Sequence, residues 1–153
     1  MNLNVVLVSP EIPQNTGNIG RLTAANCVNL HLIEPFSFKI DDKQVKRAGL
    51  DYWPEVKLKI HSSWDDFLKN EKIASNKLWF FTTKTKTDYY DAKISEGDYL
   101  VFGSETKGLS EEFHEKYPDQ RLRIPIQNEN VRSLNLANAV AIAVYEARRQ
   151  WRN

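Results

Sequence analysis

Short apolar runs recur along the chain, separated by stretches in which apolar residues return every three or four positions. Val5 to Val8, Leu30 to Ile33, Leu78 to Phe81, Tyr99 to Phe102 and Leu122 to Ile126 read as strands. From Val56 to Ile60 apolar residues alternate with lysines, the pattern of a more exposed strand. Helices are expected over Gly17 to Asn26, Val45 to Tyr52, Ser63 to Asn70, Ser110 to Tyr117 and Leu134 to Trp151. Strands alternating with helices predict an α/β fold, an open and mostly parallel sheet with helices on both faces. No repeat, low-complexity tract or linker interrupts residues 1–153, which read as a single domain.

The last helix departs from ordinary amphipathicity. Leu136, Ala137, Val140, Ala141, Val144 and Ala147 form a helical stripe, and Ala139, Ile142 and Ala143 widen it past one face. A helix apolar nearly all round must be covered on several sides, by other segments or by a second copy of the chain. Arg148, Arg149 and Arg152 suit its C-terminal dipole end, and they equally form a basic patch.

Composition narrows the class. At 41% hydrophobic over 153 residues the chain buries a real core, and whole-chain disorder is excluded. A net charge of +1 gives no bulk electrostatic case for nucleic acid. The lone cysteine, Cys27, rules out an intramolecular disulfide, fits a reducing compartment and reads as a buried small apolar residue. The apolar run near the N-terminus is too short for a signal peptide or a membrane span, so a cytoplasmic protein without membrane contact is expected. His31, His61 and His114 are scattered without metal-ligand spacing, so no metal is expected.

The candidate chemistry lies in three segments. Gly103-Ser104-Glu105-Thr106-Lys107-Gly108-Leu109-Ser110 follows an apolar run and matches the glycine spacing and final serine of a phosphate-gripping loop. Leu109 stands where that loop needs lysine, so the ligand should be less anionic than a nucleoside triphosphate. The second segment is Asn15-Thr16-Gly17-Asn18-Ile19-Gly20-Arg21. The third is Ile124-Pro125-Ile126 with Arg132-Ser133-Leu134-Asn135-Leu136-Ala137-Asn138-Ala139. Glycines at 17, 20, 103 and 108 mark two expected loops at the ligand-binding edge of such a sheet.

In this order the three segments resemble the SPOUT superfamily of RNA methyltransferases, most of all the small tRNA 2′-O-methyltransferases of the TrmL/YibK type. Leu32-Ile33-Glu34-Pro35 and Arg47-Ala48-Gly49-Leu50-Asp51-Tyr52 add to the likeness, which spans nearly the whole chain. The resemblance implies a deep C-terminal trefoil knot, a topology that general connection rules argue against. It implies S-adenosylmethionine as methyl donor, surrounded by Phe81, Gly103, Ile124 and Ser133. It implies Arg21 as the group that activates the ribose hydroxyl, Asn15 orienting it, and Ser133 and Asn135 completing the polar pocket. Ala137 departs from the group, which often has serine there.

The same residues carry other readings. Phe81 and Ile124 would be core residues in any α/β domain, and Tyr145 is a cofactor, RNA or interface residue. A guanidinium is effectively always charged, so Arg21 is better suited to holding a phosphate and stabilising a developing alkoxide than to removing a proton. The implied substrate is the wobble cytidine or uridine in the anticodon loop of tRNA, held without an appended RNA-binding domain by a homodimer joined through the last helix. Lys43, Lys46 and Arg47, then Lys84 and Lys86, then Arg148, Arg149 and Arg152 are the candidate RNA contacts; each cluster is also readable as a solvated face. Ribosomal RNA, another tRNA position, or a non-catalytic RNA- or nucleotide-binding module are the competing assignments.

Overall fold

The computed structural model describes residues 2–40, 43, 45, 47 and 50–152. Among the described residues, six strands form one sheet: β1 (Asn4–Val8), β2 (Asn29–Ile33), β3 (Lys57–His61), β4 (Leu78–Phe81), β5 (Tyr99–Phe102) and β6 (Arg121–Leu122). Their order across the sheet is β3-β2-β1-β5-β4-β6, and every pairing is parallel. The α-helices whose bounds lie among the described residues are α1 (Pro13–Ala25), α2 (Trp64–Glu71), α3 (Glu111–Lys116) and α4 (Leu136–Gln150).

Burial follows position in the sheet. Central β1 and β5 are apolar on both faces, as a covered parallel sheet requires. Edge strand β3 keeps Lys57, Lys59 and Ile60 exposed, in line with its lysine alternation. One face packs Val5, Leu7, Leu30, Leu32, Leu100 and Phe102 against Ile19 of α1 and Val140, Val144 and Ala147 of α4. The other packs Val6, Ile33, Phe80 and Val101 against Phe67 of α2 and Tyr117 beyond α3.

Three expectations change. The strand expected to reach Ile126 ends at Leu122, with Arg123 held by one isolated bridge to Asp88. Pro125 has no N–H for a ladder, and the chain from Ile124 leaves the sheet. Helix α1 begins at Pro13, so Gly17 and Gly20 lie within a helix and not in a loop. Gly20 is there for close packing: a Cβ on it would stand 2.6 Å from the Trp53 ring. Cys27 is exposed, with φ of 54°, because it sits in the left-handed turn that ends α1. The helix expected over Val45 to Tyr52 falls partly outside the described residues, as does Lys46; Leu50–Glu55 is a 3-10 helix.

Candidate active site

The C-terminal ends of β4 and β5 open into a cavity of about 290 Å³. In an open α/β sheet this is the edge where ligands bind. Phe81 and Phe102, the last residues of their strands, stack at 4.7 Å and form its floor. The segments that continue from them, 82–84 and 103–109, form two walls. Ile124 and Ile126 supply a third wall, and Arg132, Ser133, Leu134, Leu136 and Ala139 a fourth. Departure of the chain from the sheet after Leu122 is what brings Ile124 and Ile126 here.

The glycine loop is a tight turn. The Gly108 N–H donates to the Ser104 carbonyl at 2.9 Å, and Gly108 has φ of 65°. Gly103 is buried, and a Cβ on it would overlap the backbone of Gly108 and Leu109. This glycine therefore lets the loop close on itself. Leu109, in the place of a phosphate-binding lysine, is buried in the core beneath the sheet.

A polar relay joins this loop to α1 and α4. The Asn135 Nδ2 donates to Asn15 Oδ1 at 3.1 Å, and the Asn15 Nδ2 donates to Glu105 Oε1 at 3.3 Å. Asn135 is also the N-cap of α4, its Oδ1 accepting from the Asn138 N–H. The Glu105 carboxylate accepts from the Glu11 N–H at 2.7 Å and the Ile12 N–H at 2.9 Å. Ile12, the N-cap of α1, has no side chain able to cap, and a carboxylate from the other loop instead satisfies the N–H groups of Glu11 and Ile12 just ahead of the helix. In return Glu11 accepts from the Thr106 hydroxyl at 2.8 Å. Hydrogen bonds from the Thr106 and Ser104 hydroxyls hold the Glu11 carboxyl below its usual range.

The residues expected at a cofactor, Phe81, Gly103, Ile124 and Ser133, all line this one cavity. Asn15 and Asn135 are brought together, although 120 positions separate them. Arg21 is not in the wall. It is exposed on α1, with its guanidinium 4.8 Å from the Tyr52 ring centroid. Tyr145 is 57% exposed on α4. Of the basic candidates, Lys84 is paired with Glu111 at 2.6 Å, Arg149 with Glu146 at 2.8 Å, and Arg148 donates to Asn26.

Sequence reasoning gave no role to Glu105, Glu11 or His114. The missing cap at Ile12 before Pro13 was the available signal for Glu105. The histidines are less scattered than their spacing suggests. Lying two positions out of register on neighbouring strands, His31 Nδ1 and His61 Nε2 are 3.0 Å apart and buried, with Glu71 within ligand reach of both. Both oxygens of Glu71 already accept from the Lys59 ammonium, at 2.9 and 3.0 Å. The two rings form a hydrogen-bonded pair, and burial first of all pushes both pKa values down, that of His31 to about 4.

Residues 2–145 match the family described as SpoU rRNA Methylase. A protein of Burkholderia cenocepacia (strain HI2424) named tRNA (cytidine(34)-2′-O)-methyltransferase is 48% identical over 148 residues, covering 96% of this chain and 94% of the relative. A solved structure described as giving insights into the 2-OH methylation of C/U34 on tRNA superposes with a TM-score of 0.91 at 45% identity, covering 98% of this chain and 96% of the other. The SpoU methyltransferase AviRb from Streptomyces viridochromogenes, in complex with AdoMet, is 23% identical with a TM-score of 0.86; 97% of this chain and 57% of AviRb are covered, a likeness of fold.

Proposed function

The chain belongs to the SpoU rRNA methylase family, and from that premise we propose that it methylates the ribose 2′-hydroxyl of the wobble cytidine or uridine of tRNA, with S-adenosylmethionine as donor. The observation that carries this reading is the convergence of Phe81, Gly103, Ile124 and Ser133 on one cavity that Glu105 joins to the Asn15–Asn135 pair.

The cavity residues fit the donor. Phe81, Phe102, Ile124, Ile126 and Leu136 give apolar walls for a flat purine, and the 103–109 backbone supplies polar groups at close range. The volume suits a compact small molecule. Bound there, S-adenosylmethionine supplies an electrophilic methyl group on a cationic sulfur. Leucine at position 109 suits such a ligand, since no triphosphate needs a lysine.

The chain's own work is alignment and charge. Asn15 is buried, and it both accepts from Asn135 and donates to Glu105, so its amide is fixed and orients neighbouring groups without moving a proton. Ser133 offers a hydroxyl at the cavity wall. Arg21 acts on the RNA side: exposed and permanently cationic, it holds a phosphate and stabilises the alkoxide that develops on the ribose.

The fold detail belongs to the same proposal. The segment after β6 forms two cavity walls, meets Asn15 and enters α4, a path that supports a C-terminal threaded knot. Residues 1–153 act as one methyltransferase domain. Half-buried Ala137, Ala141 and Ile142 on α4, with exposed Tyr145, support a homodimer through that helix.

The test is tritiated methyl incorporation into unmodified tRNA alongside calorimetric titration of S-adenosylmethionine. Arg21→Ala should lower transfer roughly a hundredfold or more and leave cofactor affinity unchanged, because Arg21 lies outside the cavity wall. Near-normal turnover would overturn the role of Arg21. A parent protein that neither binds the donor nor transfers methyl would overturn the function.

A further inference from the structure

Helix α3 is six residues long, too short to hold itself in place. It directly continues the 103–109 wall, so its position sets that wall's distance from the 82–84 wall. Phe113 and Tyr117 anchor it toward the sheet, packing on Trp64 and Phe80 with centroids 4.4–6.2 Å apart. On the cavity side its contacts to the 82–84 segment are polar. The Lys84–Glu111 pair is 59% and 70% exposed and contributes little. The other contact is buried. His114 is the one buried residue of α3, 6% exposed, and it lines the cavity with its Nε2 3.1 Å from the Thr82 hydroxyl.

A histidine at this position needs an explanation. An apolar side chain would fill the same place without the cost of burying a polar ring, and Nδ1 has no hydrogen bond, with the Glu111 carboxylate 3.7 Å away. What the ring adds is its bond to Thr82. The Thr82 oxygen also accepts from the Lys84 N–H at 3.1 Å, which shapes the 82–84 turn. The backbone N–H of Thr82 donates to the Leu122 carbonyl at 2.9 Å, at the end of β6 and two residues before the third wall. One side chain on α3 thus reaches the residue at which two other walls are joined.

We propose that His114 is a positioning residue of the cofactor cavity, tying α3 to Thr82 and so fixing the gap between the 82–84 and 103–109 walls. The proposal rests on the cavity being the site of S-adenosylmethionine. The effect belongs to donor binding: Glu105, on that wall, is tied to the relay by its own bonds to the Glu11 and Ile12 N–H groups and Asn15, and neither Asn15 nor Asn135 shares a hydrogen bond with His114 or Thr82.

The experiment measures donor affinity by calorimetry, and KM for the donor and kcat by methyl transfer, for the parent protein, His114→Leu, His114→Gln, Thr82→Val and the His114→Leu/Thr82→Val double variant. His114→Leu should raise Kd and KM roughly tenfold with kcat unchanged at saturating donor. His114→Gln, whose amide reaches the Nε2 position, should return both to within about twofold of the parent. Thr82→Val should match His114→Leu, and the double variant should be no worse than either, since both remove one bond. Additive losses, a fall in kcat alone, or failure of glutamine to rescue would overturn the positioning role. Unchanged affinity in both His114→Leu and Thr82→Val, with a parent that binds, would do the same. A parent that does not bind the donor would instead overturn the cofactor reading on which the proposal rests.

Discussion

At Glu105 a single carboxylate accepts from two N–H groups at the start of α1 and from Asn15. Glu105→Ala should cost about 1–2 kcal/mol in urea unfolding through its lost charge-assisted hydrogen bonds, and should lower methyl transfer by freeing Asn15. Unchanged stability and activity would show that the relay carries nothing. At Gly103 the constraint is the packing of the loop on itself. Because a Cβ there meets the loop's own backbone, Gly103→Ala should already weaken donor binding and lower stability together. Loss of binding at full stability would mean that the residue faces the ligand alone. Phe81, Gly103, Ile124 and Ser133 were picked out by the family resemblance of their motifs, and they meet in one cavity. The role of Glu105 was not legible: the uncapped start before Pro13 signals that a partner is needed, but the partner lies 90 to 94 positions away, and local patterning does not name it.

Elements were legible where burial alone decides them. The apolar runs of β1, β2, β4 and β5 sit in the sheet centre, and their observed ends are within one residue of the pattern. The pattern failed where chemistry competes with hydrophobicity. Ile124 and Ile126 read as strand because they are apolar, yet the strand stops at Leu122, Pro125 has no N–H to resume a ladder, and both isoleucines line the cavity. The start of α1 was missed because Gly17 and Gly20 resemble loop glycines. The pairing of β2 with β3 also buries two imidazoles, and this has a consequence for acid stability. Above about pH 6.5 His31 is neutral in both folded and unfolded chains, and the full stability is present. Below it the unfolded chain takes up a proton that the folded protein refuses until about pH 4, so stability falls as pH drops through that window. The loss from His31 is about 3 kcal/mol, at roughly 1.4 kcal/mol per pH unit. Urea unfolding at neutral pH and near pH 4 should show this fall, and His31→Gln should flatten it. An equal pH slope in the variant would remove the pair as its cause.

At the scale of the whole molecule, α4 buries Val140, Ala143, Val144 and Ala147 within its own chain. Its flank toward Ala137, Ala141 and Tyr145 is left half covered. Ile12, 41% exposed, lies at the start of α1, the helix that packs on α4. Sedimentation at micromolar concentration should give a dimer, and Tyr145→Glu should shift it toward monomer. A monomeric parent would contradict the homodimer. The all-round apolar helix was legible in the sequence, but periodicity did not separate the intrachain face from an outer one. Methyl transfer should end on one ribose of one nucleotide. Purified protein, unmodified tRNA and S-adenosylmethionine are incubated, and 2′-O-methylated ribose is mapped by mass spectrometry of nuclease fragments. A single new methyl is expected on the ribose of the wobble cytidine or uridine, absent with Arg21→Ala. A methyl on a base, at another tRNA position, or on ribosomal RNA alone would contradict it.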